Sequence, residues 1–462
     1  MPPDPVDTSG ALSSELARHV AAVRFAQLPK STVHASKRAL LDAVGVMYAA
    51  SGLAREVRPF IDLALAQKGA SESTILGTGA RVPAAMAALA NGAMSHALDY
   101  EDAFDAAPVH PDASLIPVVL ALAQSRAPVN GRRLIAAIAT GCDFACRLAL
   151  CPRQPLEAGG WYPPPILAAF GAVAGAANLL GLSPERTLSA WSLLLLQNSC
   201  AGEIKYDADT VIRAVREAFP AQAAVMSTLL AEAGIQGFRA PFEGRAGFFA
   251  LFAGGRFEPR DLLEDLGKRY LIEQLSFKPW PSCRGTHAAI EAALWIREQP
   301  GFDASQVEAV IIQGGTVQAM LAEPLQRKRE PATAIDAKFS LPFTVATALL
   351  KGKVTLESFA DSALEDREVR ALAKRVVFVE HPQSSATSAG VVLRQRDGRS
   401  FEHSVADPRG SPARPLTDEA LVGKFVDCAG RAQVPLPPSS ARALAARILA
   451  LENEPDAGAV FA

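Results

Sequence analysis

The chain has 462 residues, of which 49% are hydrophobic and 20% charged, with a formal net charge of −2. A balance this close to neutral, without blocks of like charge, is neither the basic surface that nucleic acid needs nor a polybasic membrane patch. Six cysteines in this length do not make a disulfide scaffold, and the length itself suggests two or three domains, or one large domain with an insertion.

The N-terminus, MPPDPVDTSG, is acidic and Pro-rich. It lacks the basic start and apolar run of a signal peptide, and a cytoplasmic protein is the expectation. From residue 11 to about 255, helical patterns follow one another with Gly and Pro between them, as in "ASGLA", "GARVPAAM" and "PVNGRR". Pro83 to Leu98 has helical spacing, and Ser114 is expected to cap the next helix with Pro117 in its first turn. Cys142 and Cys146 share a helix face, but no Cys or His pair nearby completes a zinc set, so they read as buried thiols. Pro163 to Leu182 has twenty residues without a charge, and Gly171 and Gly175 are spaced as in paired membrane helices. Its three prolines and its Ala and Gly content fit a helix buried in a large α-domain better than a membrane span. Ser183, Pro184 and Glu185 form a helix start: cap, first-position proline, and acid in the first turn.

The character changes near residue 270. "VEAVIIQGG" (307–315) and "RVVFVEH" (375–381) are β-rich, and "GVVLRQRDGRSFEHSV" reads as a hairpin turning at Asp397-Gly398. Helical patterns at 287–298 and 342–351 lie between them. After the linker "DPRGSPARP", Thr417 caps a new helix and helices resume to about residue 452. The expected fold is mainly α with an inserted α+β domain. Residues 1–268 and 409–462 would build one large all-helical domain from both chain ends, and 269–408 a smaller α+β lid.

Three segments carry chemistry. The first is "HALDYEDAFDAAPVHPD", His96 to Asp112, with five carboxylates and two of the seven histidines; no Lys or Arg lies between Arg81 and Arg126. If the helix from Pro83 ran on to Asp102, then His96, Asp99 and Asp102 would share one face. The acids would sit at its C-terminal end, where the helix dipole favours cations, and such a local misfit marks a functional candidate. A solvated acidic loop is the plainer alternative. His110 lies between Pro108 and Pro111, which brace its loop.

The second segment is "LSFKPWPSCRGTHAAIEAALWIREQPG" (275–301). Thr286 is expected to cap a helix to Glu298, gathering Lys278, Arg284 and His287 at an N-terminus that already favours an anion. Arg284 suits a carboxylate through bidentate contacts. Burial between Phe277 and Trp280, with Arg284 as a like charge, should lower the Lys278 pKa toward a range useful for proton transfer. An ordinary basic surface loop is the alternative. The third segment, "GEIKYDADTVIRAVREAF" (202–219), offers Lys205, Arg213 and Arg216, either as pocket cations or as a solvated helix face. Together the three segments would place bases and cations at a domain interface, a common position for a small-molecule site.

At these residues the chain resembles the MmgE/PrpD family. The resemblance rests on "NGAMSHALDYEDA…HPDASLIPVVLALA", "GAVAGAANLLGLSPE", "FKPWPSCRGTHAAIEAAL" and "DAKFSLPFTVATALLKGKVTLESF", in that order along nearly the whole chain. It implies a helical domain formed by both chain ends, an α+β lid, a homodimer, and a site between domains that holds no metal or cofactor. It also implies a small-molecule carboxylate substrate. Asp99, His110 and Lys278 match the family's catalytic positions. His96, Asp102, Cys283, Arg284 and His287 lie in the same motifs as supporting or substrate-binding groups. Where family members carry Thr, His, Lys and His, this chain has Ala103, Tyr162, Val211 and Arg213, so Tyr162 and Arg213 become substrate-contacting candidates and the substrate is expected to differ. The reading is a cofactor-independent lyase, dehydratase-like, removing a proton next to a carboxylate of a small di- or tricarboxylate. Decarboxylation and epimerisation share that carbanion chemistry. Two alternatives are a Mg²⁺-dependent helical synthase, from Asp99, Asp102 and Asp105 at three-residue steps, and a non-catalytic scaffold.

Overall fold

Small residues set how closely the central helices approach. The computed structural model describes residues 10–207 and 210–462; the signal-peptide reading of residues 1–9, and Ala208 and Asp209 of the third segment, lie outside them. Helix Pro163–Leu180 crosses helix Gly131–Leu150 so tightly that a Cβ at Gly171 would lie 2.5 Å from the Gly141 carbonyl oxygen. A Cβ at Gly175 would lie 2.9 Å from the Ala137 carbonyl oxygen, so glycine is required at both crossings. By length and composition this helix is apolar enough to cross a membrane, but 94% of its 18-residue window is buried inside the protein. GxxxG spacing here serves helix packing within the fold.

Buried apolar residues form two clusters. The first runs from Leu12 to Phe277, adds Leu356, and is completed by Leu416 to Phe461 at the other end of the chain. The two ends meet where helix Asp418–Ala429 lies on helix Lys30–Leu53: a Cβ at Gly45 would come within 3.1 Å of the Phe425 ring. Thr417 caps that C-terminal helix through the Ala420 N–H, and Ser183 caps Pro184–Leu195 through the Arg186 N–H, both as the sequence indicates.

The second cluster holds residues from Trp280 to Val405, together with Ala214. Its four-stranded sheet comprises β1 (Val307–Gly314), β2 (Val376–Glu380), β3 (Ala389–Gln395) and β4 (Ser400–Val405) in the order β2-β1-β3-β4. β1 and β2 are parallel, and the helices between them form the crossover such a pair needs. β3 and β4 are the expected hairpin, with Gly398 at φ +87° in its turn. Helices His287–Arg297 and Leu341–Lys351 belong to the same cluster. The molecule is mainly α with one small α+β region.

Three local expectations are corrected. The helix from Ala84 stops at Ala97, and Asp99 follows in the left-handed region at φ +48°, so His96, Asp99 and Asp102 do not share a helical face. Ser114 caps nothing: Pro111 opens the helix Pro111–Ser125 with His110 at the cap position, and the Ser114 hydroxyl instead donates to Glu217 at 2.6 Å. Thr286 makes no side-chain cap; a 3₁₀ turn over Arg284–Thr286 precedes the helix, and its hydroxyl donates to the Cys283 carbonyl.

Candidate active site

A short antiparallel ribbon joins the acidic and basic segments. Ala103–Phe104 pairs with Leu275–Ser276, in the register Ala103↔Ser276 and Phe104↔Leu275. That pairing sets Asp99 and Lys278 side by side, both buried. The Lys278 ammonium donates to the Asp99 carboxylate in a short contact and to the Asp99 carbonyl at 3.1 Å. It also lies 3.8 Å from Glu101 Oε1. The expectation of a lowered Lys278 pKa is overturned: burial does pull it down, but Asp99 and then Glu101 outweigh burial and raise it above its ordinary value. Lys278 is therefore a resident cation. Lys424, from the C-terminal helix, anchors the same corner by donating to the Tyr100 carbonyl at 2.6 Å and the Lys278 carbonyl at 3.0 Å, with Asp42 at 2.7 Å.

Glu101 is the hub. Its Oε1 lies 2.5 Å from His96 Nδ1 and 3.2 Å from His110 Nδ1, and the two imidazole centroids are 5.7 Å apart. His110 Nδ1 also meets the Asp102 carbonyl at 2.6 Å. Acceptors on that side place the His110 proton on Nδ1. Burial, aided by Lys278, Arg216 and His96 and opposed by Glu101, holds His110 well below its ordinary value, so the ring is neutral and Nε2 is a base. Burial first, then Arg216, does the same to His96. Among the described residues, Asp99 Oδ2 has no hydrogen-bond partner, and His110 makes its hydrogen bond through Nδ1.

These groups close one end of a cavity of about 490 Å³. Asp99, His110, Tyr162, Arg213, Cys283 and Arg284 line it, whereas His96, Asp102, Lys278 and His287 stand behind its wall. Asp102 is buried with both carboxylate oxygens unpartnered among the described residues, and burial, then Asp112 and Glu101, drives its pKa well up. It contributes its carbonyl to His110 and keeps its side chain from the cavity. His287 donates Nε2–H to the Ser282 carbonyl at 3.1 Å and offers Nδ1 to Arg284 at 3.4 Å. Arg284 in turn is spent on Asp105, at 3.0 Å from both Nε and Nη2, while Ser276 donates to the same carboxylate. The expectation that Arg284 offers a free guanidinium is thereby corrected.

The third segment supplies the cations instead. Ile212–Val215 is a 3₁₀ turn, and Arg213 and Arg216 face inward, so the solvated-helix alternative does not hold. Arg216 is buried, donates to Glu217 at 3.0 Å and to the Tyr162 hydroxyl at 2.8 Å, and keeps Nη2 unpartnered among the described residues. Arg213 lies over the Phe339 ring, 3.4 Å from its centroid, and makes no ion pair among the described residues. Lys205, Arg213 and Arg216 all lie within 5.6 Å of the Tyr162 ring centroid. The reading from sequence offered Arg216 only as one of two alternatives, pocket cation or solvated face, and did not single out Glu101 or Lys424 as site-building groups. Only the density of acid around Glu101 and the basic spacing of Arg216 pointed their way.

For a metal, the described residues offer one cluster: His96, Asp99 and Glu101 present ligand atoms within 4.8 Å of one another. The Lys278 ammonium sits against two of the three. Asp99, Asp102 and Asp105, the set that suggested Mg²⁺, do not converge, since Asp105 is turned to Arg284 and Asp102 is sealed behind the wall.

The MmgE/PrpD N-terminal domain model matches residues 14–260, and the MmgE/PrpD C-terminal domain model matches residues 280–446. Among curated relatives, cis-aconitate decarboxylase of Mus musculus is 25% identical over 435 residues, covering 90% of this chain and 86% of the relative. The Homo sapiens enzyme of the same name is 24% identical, covering 90% and 87%. The 2-methylcitrate dehydratase of Escherichia coli strain K12 is 25% identical over 386 residues, covering 76% and 78%. With its two halves matched in order over most of its length, this chain belongs to the MmgE/PrpD family, whose matched relatives are enzymes.

Proposed function

We propose that this chain is a cofactor-independent lyase that removes a proton next to a carboxylate of a small di- or tricarboxylate, with dehydration as the overall reaction. The observation that carries this is the unpartnered Asp99 Oδ2, among the described residues, together with His110, whose hydrogen bond runs through Nδ1, both on residues lining one cavity that also holds Arg213 and Arg216. Arg213 and the free Nη2 of Arg216 bind the carboxylate. His110 Nε2 or Asp99 takes the proton, and Glu101 stabilises the imidazolium that results. Lys278, paired with Asp99, and the arginines keep the site positive as charge develops on the substrate. The Tyr162 hydroxyl accepts from Arg216 and has its own hydrogen to give to a departing hydroxide. Because Lys278 stands where a metal would neutralise Asp99 and Glu101, EDTA is expected to leave turnover unchanged.

Decarboxylation is the second reading, supported by the wider match to cis-aconitate decarboxylases, 90% of this chain against 76% for the dehydratase. The resting state of His110 favours proton removal as the first step, since Nε2 is unprotonated and Nδ1 carries the hydrogen. Reaction in D₂O followed by NMR and mass spectrometry separates the two. Deuterium washed into recovered substrate supports proton abstraction, and loss of CO₂ without such exchange refutes it.

The reading includes a homodimer. Phe219, Met226 and Leu230 are exposed at positions 0, 7 and 11 of one face of helix Ala218–Glu232, with Leu63 exposed beside them near Phe60, whose ring meets Phe219. Analytical ultracentrifugation of Phe219→Glu, expected as monomer against a dimeric parent, tests it. All six cysteines are unpaired, which suits a reducing compartment such as the cytoplasm.

A further inference from the structure

The cavity is chemically two-sided. Arg213, Arg216 and Lys205 stand around Tyr162 on one side. The lining also has an apolar part: Phe104, Pro108 and Val109 from the acidic segment, and Val317, Met320 and Ala386 from the α+β region. Helix Thr316–Ala322 presents Val317 and Met320 there, and Met320 is 41% exposed although it is a large apolar side chain. A volume of about 490 Å³ lies in the range that encloses drug-sized molecules, more room than an acid of a few carbons fills. A tricarboxylate alone would leave charged arms against these apolar side chains, which offer them no hydrogen bond and make their desolvation costly. Arg284, the cation adjoining Gly285 in that lining, is already paired with Asp105.

We propose that the substrate is a carboxylic acid one of whose arms ends in an apolar alkyl or aryl group, received by Val317, Met320 and Ala386 while Arg213 and Arg216 take a carboxylate. The inference rests on the carboxylate reading above and adds the class of substituent. Val317 and Met320 are then specificity-determining residues. Met320, unbranched and polarisable, adapts to groups of different shape.

Isothermal titration with succinate, 2-methylsuccinate, 2-butylsuccinate and 2-benzylsuccinate tests it on the full chain. Affinity is expected to rise by about fourfold for each methylene buried, so that the butyl acid binds far more tightly than the methyl acid. Met320→Ser and Val317→Ala are each expected to shrink the butyl-to-methyl affinity ratio several-fold. A ratio taken within one variant is insensitive to any general loss of folded protein. Equal affinity for all four acids, with Arg213→Gln weakening every one, would overturn the apolar subsite and leave the carboxylate site standing. Binding of none of them, or binding indifferent to Arg213→Gln, would overturn both.

Discussion

Asp99 and Lys278, 179 residues apart in the chain, form a fully buried ion pair, with the Asp99 backbone held in a left-handed conformation to make it. The left-handed region is tolerated by Asp more readily than by most residues, and its small cost is met where geometry matters. Asp99→Asn is expected to lower kcat by about two to four orders of magnitude. It also leaves the ammonium without its main counter-charge, costing about 3–5 kcal/mol of stability. The double variant Asp99→Asn, Lys278→Met should recover much of that stability and none of the activity. Urea unfolding and steady-state kinetics read the two effects separately, and a double variant as unstable as the single one would deny the pair its role.

Glu101 orients both imidazoles. Glu101→Gln keeps the shape and removes the charge, and kcat is expected to fall by about 100-fold with KM little changed. The sign of the pH effect follows from the pair. Glu101 raises the His110 pKa against the larger effect of burial, so its loss lowers that pKa further. With His110 as the proposed base, turnover needs its neutral form and is lost as pH falls through the folded value, already well below 6.5. The acid limb of kcat/KM in the variant should therefore move to lower pH, and a shift to higher pH would contradict the assignment.

The proposed reading gives Arg213 and Arg216 to the substrate, whereas Arg284 is committed to Asp105. Arg213→Gln and Arg216→Lys are expected to raise KM by about 10- to 100-fold, the worth of a charge-assisted hydrogen bond. Arg284→Lys breaks the fork on Asp105 and should lower Tm more than it alters KM. Comparing KM and Tm for the three variants checks the division, and equal KM effects would dissolve it.

Asp112 stands beneath the site, pushed up to about 8 by burial and then by Asp42. In the unfolded chain it ionises near its ordinary value of 3.8. Between those values the folded state binds the extra proton, so this group's contribution to stability falls as pH rises. Buried His96, His110 and His287 act oppositely: their folded values are depressed, and their contribution is lost as pH falls below 6.5. The difference between Asp112→Asn and the parent isolates the aspartate. The variant's Tm advantage should grow by on the order of a few degrees from pH 5 to pH 8, and a constant difference would show that Asp112 is ionised throughout.

Much of the fold is legible in sequence because local rules suffice for it. Ser183 and Thr417 cap as their neighbours require, and the Asp397-Gly398 hairpin forms because its turn and alternation agree. Local rules failed where a distant partner overrode them. Ser114 is drawn to Glu217, and the helix before Asp99 ends early because Lys278 takes both the Asp99 carboxylate and its carbonyl.

Many residues of the candidate site were named from sequence, but not their states. Composition and spacing alone identified an acidic stretch with two histidines, a basic stretch after residue 277, and Arg213, whereas Tyr162 became a candidate only through the resemblance to the family. The pairing of Ala103–Phe104 with Leu275–Ser276 decided which charges meet. With it Lys278 is held as a cation by Asp99 and Glu101 and Arg284 is committed to Asp105, while Arg213 Nε and Arg216 Nη2 stay unpartnered among the described residues. Charge state in a buried site is a sum over neighbours from every element that packs there, and that sum exists only once the chain has folded.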